Sequence, residues 1–488
     1  MKLDILLKGI EYHLQQGSPE NCEITGLCED SRKIKCGNLF FCRTGTHTSG
    51  KQYLRQALSL GAAAVICEKY DEDSRRILSS QKDICVIETD VSAQTQARLA
   101  SNFYDFSKEK LLLIGVTGTK GKTTVCAMLQ KLFLDNHMLC ATVGTNGFFL
   151  KDRVTKSSHT TPELFELYGF IAEVSSLAVK QGRIAGLTFD LGIFTNIYPD
   201  HIGGNEHASF LEYAYWKKRF FKNCKKVLLN RDDPFSFEIA ADKNGVCSWY
   251  SASVCADGYA SEIEKDVEID GLYQHFLWHW QKMPARSISL KLPGLCNVSN
   301  AAAALSAFCL LTSDEQYDSY QLDFSTFSVR GRFEMVGHFQ GGTIMIDYAH
   351  NEASLKNLLE SLRAYHPNRI LCMFGCGGNR SAVRRSAMGR VSSELADLTI
   401  ITQDNSRDEP FEQILADILL GVTGDYVVIR DRKEAIGYCM SQMRPGDLLV
   451  LVGKGHEDTQ EIAGKVEAFS ERDIVESIEK TKKGKVSK

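Results

Sequence analysis

Apolar residues recur along this chain in two rhythms, and the alternation between them predicts an α/β protein. In the first hundred residues the short apolar runs "NLFF", "AAAVIC" and "ICVIE" read as buried strands. They alternate with stretches such as "KQYLRQALSLGA", whose apolar positions fit one face of a helix. A second unit opens at "KLLLIGVTGTKGKTT", where an apolar run leads into a glycine-rich segment. Beyond it Val125, Met128, Leu129, Leu132 and Phe133 recur at helical spacing, so the order predicted is strand, loop, amphipathic helix. From about Val329 the strand candidates "TIMI", "ILCMF", "LTIIT", "YVVIR" and "LLVLV" follow one another, separated by stretches long enough for helices. That is the pattern of a doubly wound domain. No internal repeat is visible, and the basic, apolar-poor tail "KTKKGKVSK" reads as a solvated end.

At 488 residues the chain is too long for one hydrophobic core, and ordinary domain size makes three the expectation. Its 43% hydrophobic and 24% charged residues belong to a globular protein rather than a disordered or membrane one. The net charge of -4 gives no global attraction for nucleic acid, so an anionic ligand must be met by local clusters of Lys, Arg and backbone N–H. No apolar run approaches the roughly 18 residues that span a bilayer. The opening "MKLDILLKGIEYHLQQG" is interrupted by charges, unlike a signal peptide. A cytoplasmic protein with neither nucleic-acid nor membrane partner is expected. The sixteen cysteines are scattered without paired C-x-x-C spacing, so they read as reduced, buried, small apolar residues.

The segment "GVTGTKGKTTV", residues 115–125, carries the first specific chemistry. A helix N-terminus has unsatisfied N–H groups and a partial positive charge, and glycines let that backbone close around phosphate oxygens. Gly118, Thr119, Lys120, Gly121, Lys122, Thr123 and Thr124 are therefore the candidate nucleotide-phosphate-binding loop. Lys122 is placed to meet the β- and γ-phosphates, and Thr123 to offer a hydroxyl to Mg²⁺. The loop departs from the general pattern, which puts its first glycine where this chain has Val116.

The spacing G-x-x-G-x-x-G-K-T-T resembles the ATP loop of the Mur ligases and folylpolyglutamate synthetases, which join an acid to an amine. "DSRKIKCGNLFFC", "HTTPE", "EVSS", "FTNIYPDHI", "NVSNAAAAL", "GRFEMV", "DYAHNEASL", "FGCGGNR", "DNSRDEP" and "GKGHEDTQ" follow in the order of the Mur ligase family, so the resemblance covers nearly the whole chain. It implies three α/β domains. Residues 1–105 would form a small N-terminal UDP-sugar-binding domain, and 106–327 a central P-loop ATPase domain with a mainly parallel sheet. Residues 328–488 would form a C-terminal, Rossmann-like, amino-acid-binding domain. The activity implied is an ATP-dependent, Mg²⁺-dependent amide ligase of peptidoglycan precursor synthesis, acting as a monomer. It would add a diamino acid, meso-2,6-diaminopimelate, to UDP-N-acetylmuramoyl-L-alanyl-D-glutamate through an acyl phosphate. The alternative is a relative adding L-lysine or another amine. A P-loop switch would leave "DYAH" and "GKGHE" without a role.

Residue by residue, the resemblance makes Thr123, Glu173, His201 and a carbamylated Lys217 metal ligands, with Lys122, Lys217 and His201 catalytic. Lys217 is reached by counting from Tyr213, and its neighbour Lys218 leaves a one-residue register question. Ser31, Thr160, Thr161, Ser175, Gln181 and Arg183 correspond to contacts with the UDP-muramoyl dipeptide. Asn300, Arg332 and Asp347 correspond to contacts with ATP. Arg385, Asp404, Asn405, Ser406, Arg407, Gly453 and Glu457 correspond to contacts with the amino acid. An arginine there can fork onto the second carboxylate of diaminopimelate, which lysine lacks. Two positions depart from the family: Leu177 stands where many members carry His, and Ser406 replaces the proline of D-N-P-R. Losing that proline is expected to loosen the presentation of Arg407.

Overall fold

The computed structural model describes residues 1–43, 49–81, 83–104, 112–144, 147–150, 153–155, 171–199, 207–243, 247–268, 270–379 and 382–486. They gather into two compact units, residues 1–126 with 139–249 and residues 127–138 with 250–488.

The first unit holds two α/β sheets. In the N-terminal one, Cys85–Glu88, Ala64–Cys67, Asn38–Phe41 and Gly26–Cys28 pair in parallel, and His13–Gln16 adds antiparallel at the edge. Its three inner strands, Asn38–Phe41, Ala64–Cys67 and Cys85–Glu88, are buried on both faces, while His13–Gln16 at the edge is largely exposed. Leu39, Phe41, Ala64, Ile66 and Ile87 enter one apolar cluster, and Phe40, Val65, Cys67 and Val86 enter another. A parallel sheet covered on both sides requires continuous apolar runs, which is what "NLFF" and "AVIC" supply.

In the other sheet Cys224–Asn230, Phe189–Phe194, Ile114–Thr117, Ile171–Glu173 and Ala141–Gly144 lie side by side, all parallel, and Gly147–Leu150 and Arg153–Thr155 extend it antiparallel. This is the mainly parallel sheet expected. Its central strand Ile114–Thr117 leads into the glycine loop and the helix Lys122–Asp135, on which Val125, Met128, Leu129, Leu132 and Phe133 are buried as their spacing requires.

The second unit contains the antiparallel strands Gly258–Glu268, Gly271–Trp280 and Arg286–Leu290, which the apolar pattern did not single out, and the apolar helix Leu295–Leu311. Its larger sheet runs Glu334–Phe339, Gly342–Asp347, Leu448–Val452, Ile370–Phe374, Leu398–Ile401, Tyr426–Val428, parallel throughout except at the first pair. Alternate residues divide between two cores. Ile370, Cys372 and Phe374 pack with Leu355, Leu359, Met388 and Ile414 on one face. Leu371, Met373 and Leu451 pack with Ile436, Cys439, Met440 and Val475 on the other. Helices cover both faces, the doubly wound arrangement expected. All sixteen cysteines are free, most of them buried. Among the described residues no helix is long and apolar enough to cross a membrane.

Candidate functional site

In both units the candidate residues collect where parallel strands end at their carboxyl sides, the position at which open α/β sheets bind ligands. In the first unit the loop after Thr117 turns through Gly118 at φ +153° and Gly121 at φ +88°. A side chain at Gly118 is also sterically barred, since its Cβ would lie 1.8 Å from Thr195 Oγ1. The next strand end braces the loop. Thr119 N donates to Asn196 O at 2.9 Å, Lys120 N to Asn196 Oδ1 at 2.9 Å, and Thr195 Oγ1 to Lys120 O at 2.7 Å. Thr119 Oγ1 stands 3.0 Å from Tyr213 OH. Thr195, Asn196 and Tyr213 thus fix the loop's shape, a role that the order of residues does not reveal.

Two lysines reach the same carbonyl. Lys122 Nζ donates to Gly118 O at 2.9 Å and to Thr119 O at 3.0 Å, and Lys217 Nζ donates to Gly118 O at 2.7 Å while lying 4.6 Å from the centre of the Tyr213 ring. Lys217 is 1% exposed. It belongs to the helix Phe210–Phe220, started by Ser209, whose hydroxyl accepts from Glu212 N. Lys218, one residue on, faces away and pairs with Asp242 at 3.0 Å. The helix therefore directs Lys217, not Lys218, at the loop.

Glu173 closes the strand Ile171–Glu173 and is 2% exposed. Burial and the Glu173 carboxylate both push the Cys126 thiol up, against the pull of Lys122. The half-buried Thr123 hydroxyl and the Glu173 carboxylate are hard oxygen donors that fit a divalent cation such as Mg²⁺. Thr124 is buried. His201 lies outside the described residues, as do Thr160 and Thr161.

Of the remaining UDP-muramoyl candidates, Ser31 is buried and donates to Gln56 Oε1 at 2.8 Å. Ser175 caps the helix Ser176–Lys180, accepting from Ala178 N at 3.2 Å, and Gln181 and Arg183 follow in the turn that ends it. The structure adds Arg43, whose Nη2 donates to Gln181 O at 3.2 Å. Arg43 brings a second guanidinium to the Gln181–Arg183 turn and follows directly on "DSRKIKCGNLFFC" in the sequence.

In the second unit Asp347 ends its strand and accepts from Phe333 N and Ala349 N, both at 2.8 Å, so it is held against the turn that carries Arg332. The Arg332 guanidinium lies 5.0 Å from the Tyr348 ring centre. Asn300 is buried and donates to Asn297 Oδ1 at 3.1 Å. Burial first, and then Asp347, push the Cys296 thiol up to about 12. The Tyr348 ring lies 4.9 Å from that of His456, and its hydroxyl 3.5 Å from Glu457 Oε1. Tyr348 so links the ATP candidates to the amino-acid candidates.

Of the amino-acid candidates, Asp404, Asn405, Gly453 and Glu457 lie together. Asn405 Nδ2 donates to Glu457 Oε2 at 2.7 Å. Gly453 has φ +113°, and a Cβ on it would lie 2.7 Å from Asp404 Oδ2. Burial and Asp404 raise the Glu457 carboxyl, opposed by Lys454 and Asn405.

Two expectations change. Arg385 is 1% exposed, and its guanidinium is already engaged by Glu409 at 2.6 Å through both terminal nitrogens, by Asp417 at 2.9 Å and by Gly377 O at 3.1 Å. It is an internal clamp rather than an open fork, because burying a guanidinium without partners is prohibitive and the chain supplies its own carboxylates. Ser406 does not loosen the segment. It is 2% exposed, its hydroxyl accepts from Gln403 Nε2 at 2.9 Å, and its N donates to Asp404 O at 2.8 Å. Arg407 follows at φ +52°, fixed by Arg407 N to Glu461 O at 3.1 Å and Nη1 to Gly378 O at 2.7 Å, with a third of its side chain exposed.

Comparison with known proteins agrees along the chain. Residues 23–104 match the model of the Mur ligase family catalytic domain, 116–308 the Mur ligase middle domain, and 331–455 the Mur ligase, glutamate ligase domain. A UDP-N-acetylmuramoyl-L-alanyl-D-glutamate--2,6-diaminopimelate ligase of Caldanaerobacter subterraneus subsp. tengcongensis is 36% identical over 98% of this chain and 99% of its own. The protein of that name from Clostridium botulinum is 32% identical with the same coverage. A solved structure of a ligase of that name superposes with a TM-score of 0.63 at 26% identity, covering 99% of both chains. The fold is shared with MurF of Thermotoga maritima in complex with ADP, at a TM-score of 0.63 and 16% identity over 88% of this chain and 94% of that one.

Proposed function

Because this chain belongs to the Mur ligase family, we propose that it is an ATP-dependent, ADP-forming amide ligase adding meso-2,6-diaminopimelate to UDP-N-acetylmuramoyl-L-alanyl-D-glutamate. The observation that carries the chemistry is the convergence of Lys122 and Lys217 on one carbonyl of the phosphate loop. The substrate follows from the full-length relatives, which are named as diaminopimelate ligases.

A carboxylate is a poor electrophile, so the glutamate carboxylate oxygen first attacks the γ-phosphorus of ATP and ADP leaves. The amine nitrogen then attacks the acyl carbon of the acyl phosphate, and phosphate leaves. Lys122 and the loop N–H groups hold the transferring phosphoryl and spread its charge. Thr123, Glu173, His201 and a carbamylated Lys217 would hold Mg²⁺, which when bound neutralises the phosphates facing the carboxylate. Carbamylation by CO₂ exchanges the Lys217 ammonium for an anion, and so removes one of two like charges gathered at Gly118 O. Asn300, Arg332 and Asp347 bind the nucleotide. Ser31, Thr160, Thr161, Ser175, Gln181 and Arg183, with Arg43 added, bind the UDP-muramoyl dipeptide. Asp404, Asn405, Gly453 and Glu457 receive the amino acid, and Arg407 reads its distal carboxylate.

The test is phosphate release from ATP with the UDP-muramoyl dipeptide and a panel of amino acids. Release that depends on both the dipeptide and diaminopimelate is expected. Release without either would refute the ligase reading, and release driven by L-lysine alone would move the assignment to a lysine-adding relative.

A further inference from the structure

Lys454 is 0% exposed and has no part in the scheme above. Its ammonium donates to Asn405 Oδ1 at 3.0 Å and lies 3.5 Å from Asp404 Oδ1 and 3.6 Å from Glu457 Oε2. Asn405 completes the figure by donating to Glu457 Oε2 at 2.7 Å. One cation therefore ties the segment after Leu398–Ile401 to the segment after Leu448–Val452, although the two are some fifty residues apart in sequence. Burying an ammonium is costly unless charges and hydrogen bonds compensate it. Here the compensation exceeds the need, since two carboxylates face one lysine. The trio carries one net negative charge beside residues assigned to an incoming amino acid, and an ammonium ion is what such a surplus attracts.

We propose that Lys454 is a positioning residue of the amino-acid site, holding Asp404, Asn405 and Glu457 in the arrangement that receives the substrate's ammonium group. The inference rests on the ligase reading and deepens it. Lys454 also opposes the effect of burial on Glu457, favouring the charged form of that carboxylate. The other groups around Glu457 do not replace it. Asp404 works in the opposite sense, and the Tyr348 hydroxyl is neutral. Arg432, fully buried, is paired with Glu471, its Nε donating to Glu471 Oε1 at 2.9 Å. The sign follows. Removing the lysine raises the Glu457 carboxyl further, so the charged form that binds an ammonium is lost at a higher pH than in the native enzyme.

The experiment measures saturation curves for diaminopimelate across pH, at saturating MgATP and UDP-muramoyl dipeptide, for the native enzyme, Lys454→Met, Lys454→Gln and Lys454→Arg. Lys454→Met should raise the KM for the amino acid at least about thirtyfold, the scale for truncating one partner of a buried charge pair. The KM for ATP should stay within about twofold. The acid limb of kcat/KM for the amino acid should move to higher pH, and Lys454→Arg, which keeps the cation, should return it toward the native position. If Lys454→Met does not fold, Lys454→Gln carries the same expectation, since it restores a donor to Asn405 but no charge. A variant that lowers only the melting temperature, or that raises every KM equally with the pH limb unmoved, overturns the proposal. A native enzyme that ligates no amino acid overturns the ligase reading itself, so the two failures are distinct.

Discussion

Replacing Lys217 with alanine should cost the enzyme its activity, and the same change at Lys218 should not. The magnitudes come from where each side chain lies. Lys217 is 1% exposed with Nζ 2.7 Å from Gly118 O, inside the loop proposed to hold the transferring phosphoryl. Deleting one preorganised electrostatic group from such a site costs about 3–4 kcal/mol of barrier, or roughly 10²–10³ in kcat. The Lys218 side chain is 28% exposed and its partner Asp242 49%. A surface pair of that kind is worth at most about 1 kcal/mol of stability, and its loss should leave turnover within about twofold. Phosphate release under saturating substrates measures both. The chemical form of Lys217 is read from rescue. Truncation leaves room beside Gly118 O, so short carboxylic acids should restore part of the activity of Lys217→Ala if the working group is a carbamate. Short alkylamines should restore it if the group is an ammonium. Equal losses at both positions, or rescue by amines and not acids, would refute the reasoning.

Lys122→Ala should abolish ligation in a folded protein, by about 10³ or more in kcat, because the charge meeting the γ-phosphate is gone; near-native phosphate release would remove the ATP-loop assignment. In competition at equal concentrations the native enzyme should prefer diaminopimelate to L-lysine at least about a hundredfold, and Arg407→Ala should erase the preference; an unchanged ratio would sink Arg407 as the selecting residue. Arg385→Ala should act mainly on stability, by about 3–5 kcal/mol for a broken buried pair, with the amino-acid preference retained; calorimetry and the same competition decide it. His456 is held at about 4, below its ordinary 6.5, first by burial and then by Arg332 and Arg330. Its folded form disfavours the proton, so that contribution is complete above about pH 6.5 and is lost as pH falls toward 4, about 3 kcal/mol in all. His456→Asn should flatten the melting temperature between pH 7 and pH 5, and an unchanged slope would exclude His456 as its source.

Much of this molecule is legible in one dimension because its signals are local. Buried parallel strands must be apolar on both faces, so "NLFF", "AVIC", "ILCMF" and "LLVLV" announce themselves, and a glycine-rich turn ending in G-K-T-T between strand and helix carries the local signature of a phosphate loop. The antiparallel strands Gly258–Glu268 and Gly271–Trp280 gave no such signal. In Gly258–Glu268 exposed and charged residues dilute the run, and in Gly271–Trp280 Gln274, His275 and His279 interrupt it.

The site divides in the same way. The loop chemistry pointed to Lys122 and Thr123, and the family resemblance to Glu173 and the "DNSR" and "GKGHE" segments, but partners far apart in sequence lay beyond that reading. Two adjacent lysines are equivalent in a string. On a helix they are about 100° apart, and only the packing of Phe210–Phe220 decides that Lys217 enters the loop while Lys218 meets Asp242. Arg385 reads as an open guanidinium until the fold brings up Glu409 and Asp417, and Lys454 passes unnoticed until it lies between Asp404 and Glu457. Charge inside a protein is set by what surrounds it, and those surroundings are assembled only when distant strands end at the same edge of a sheet.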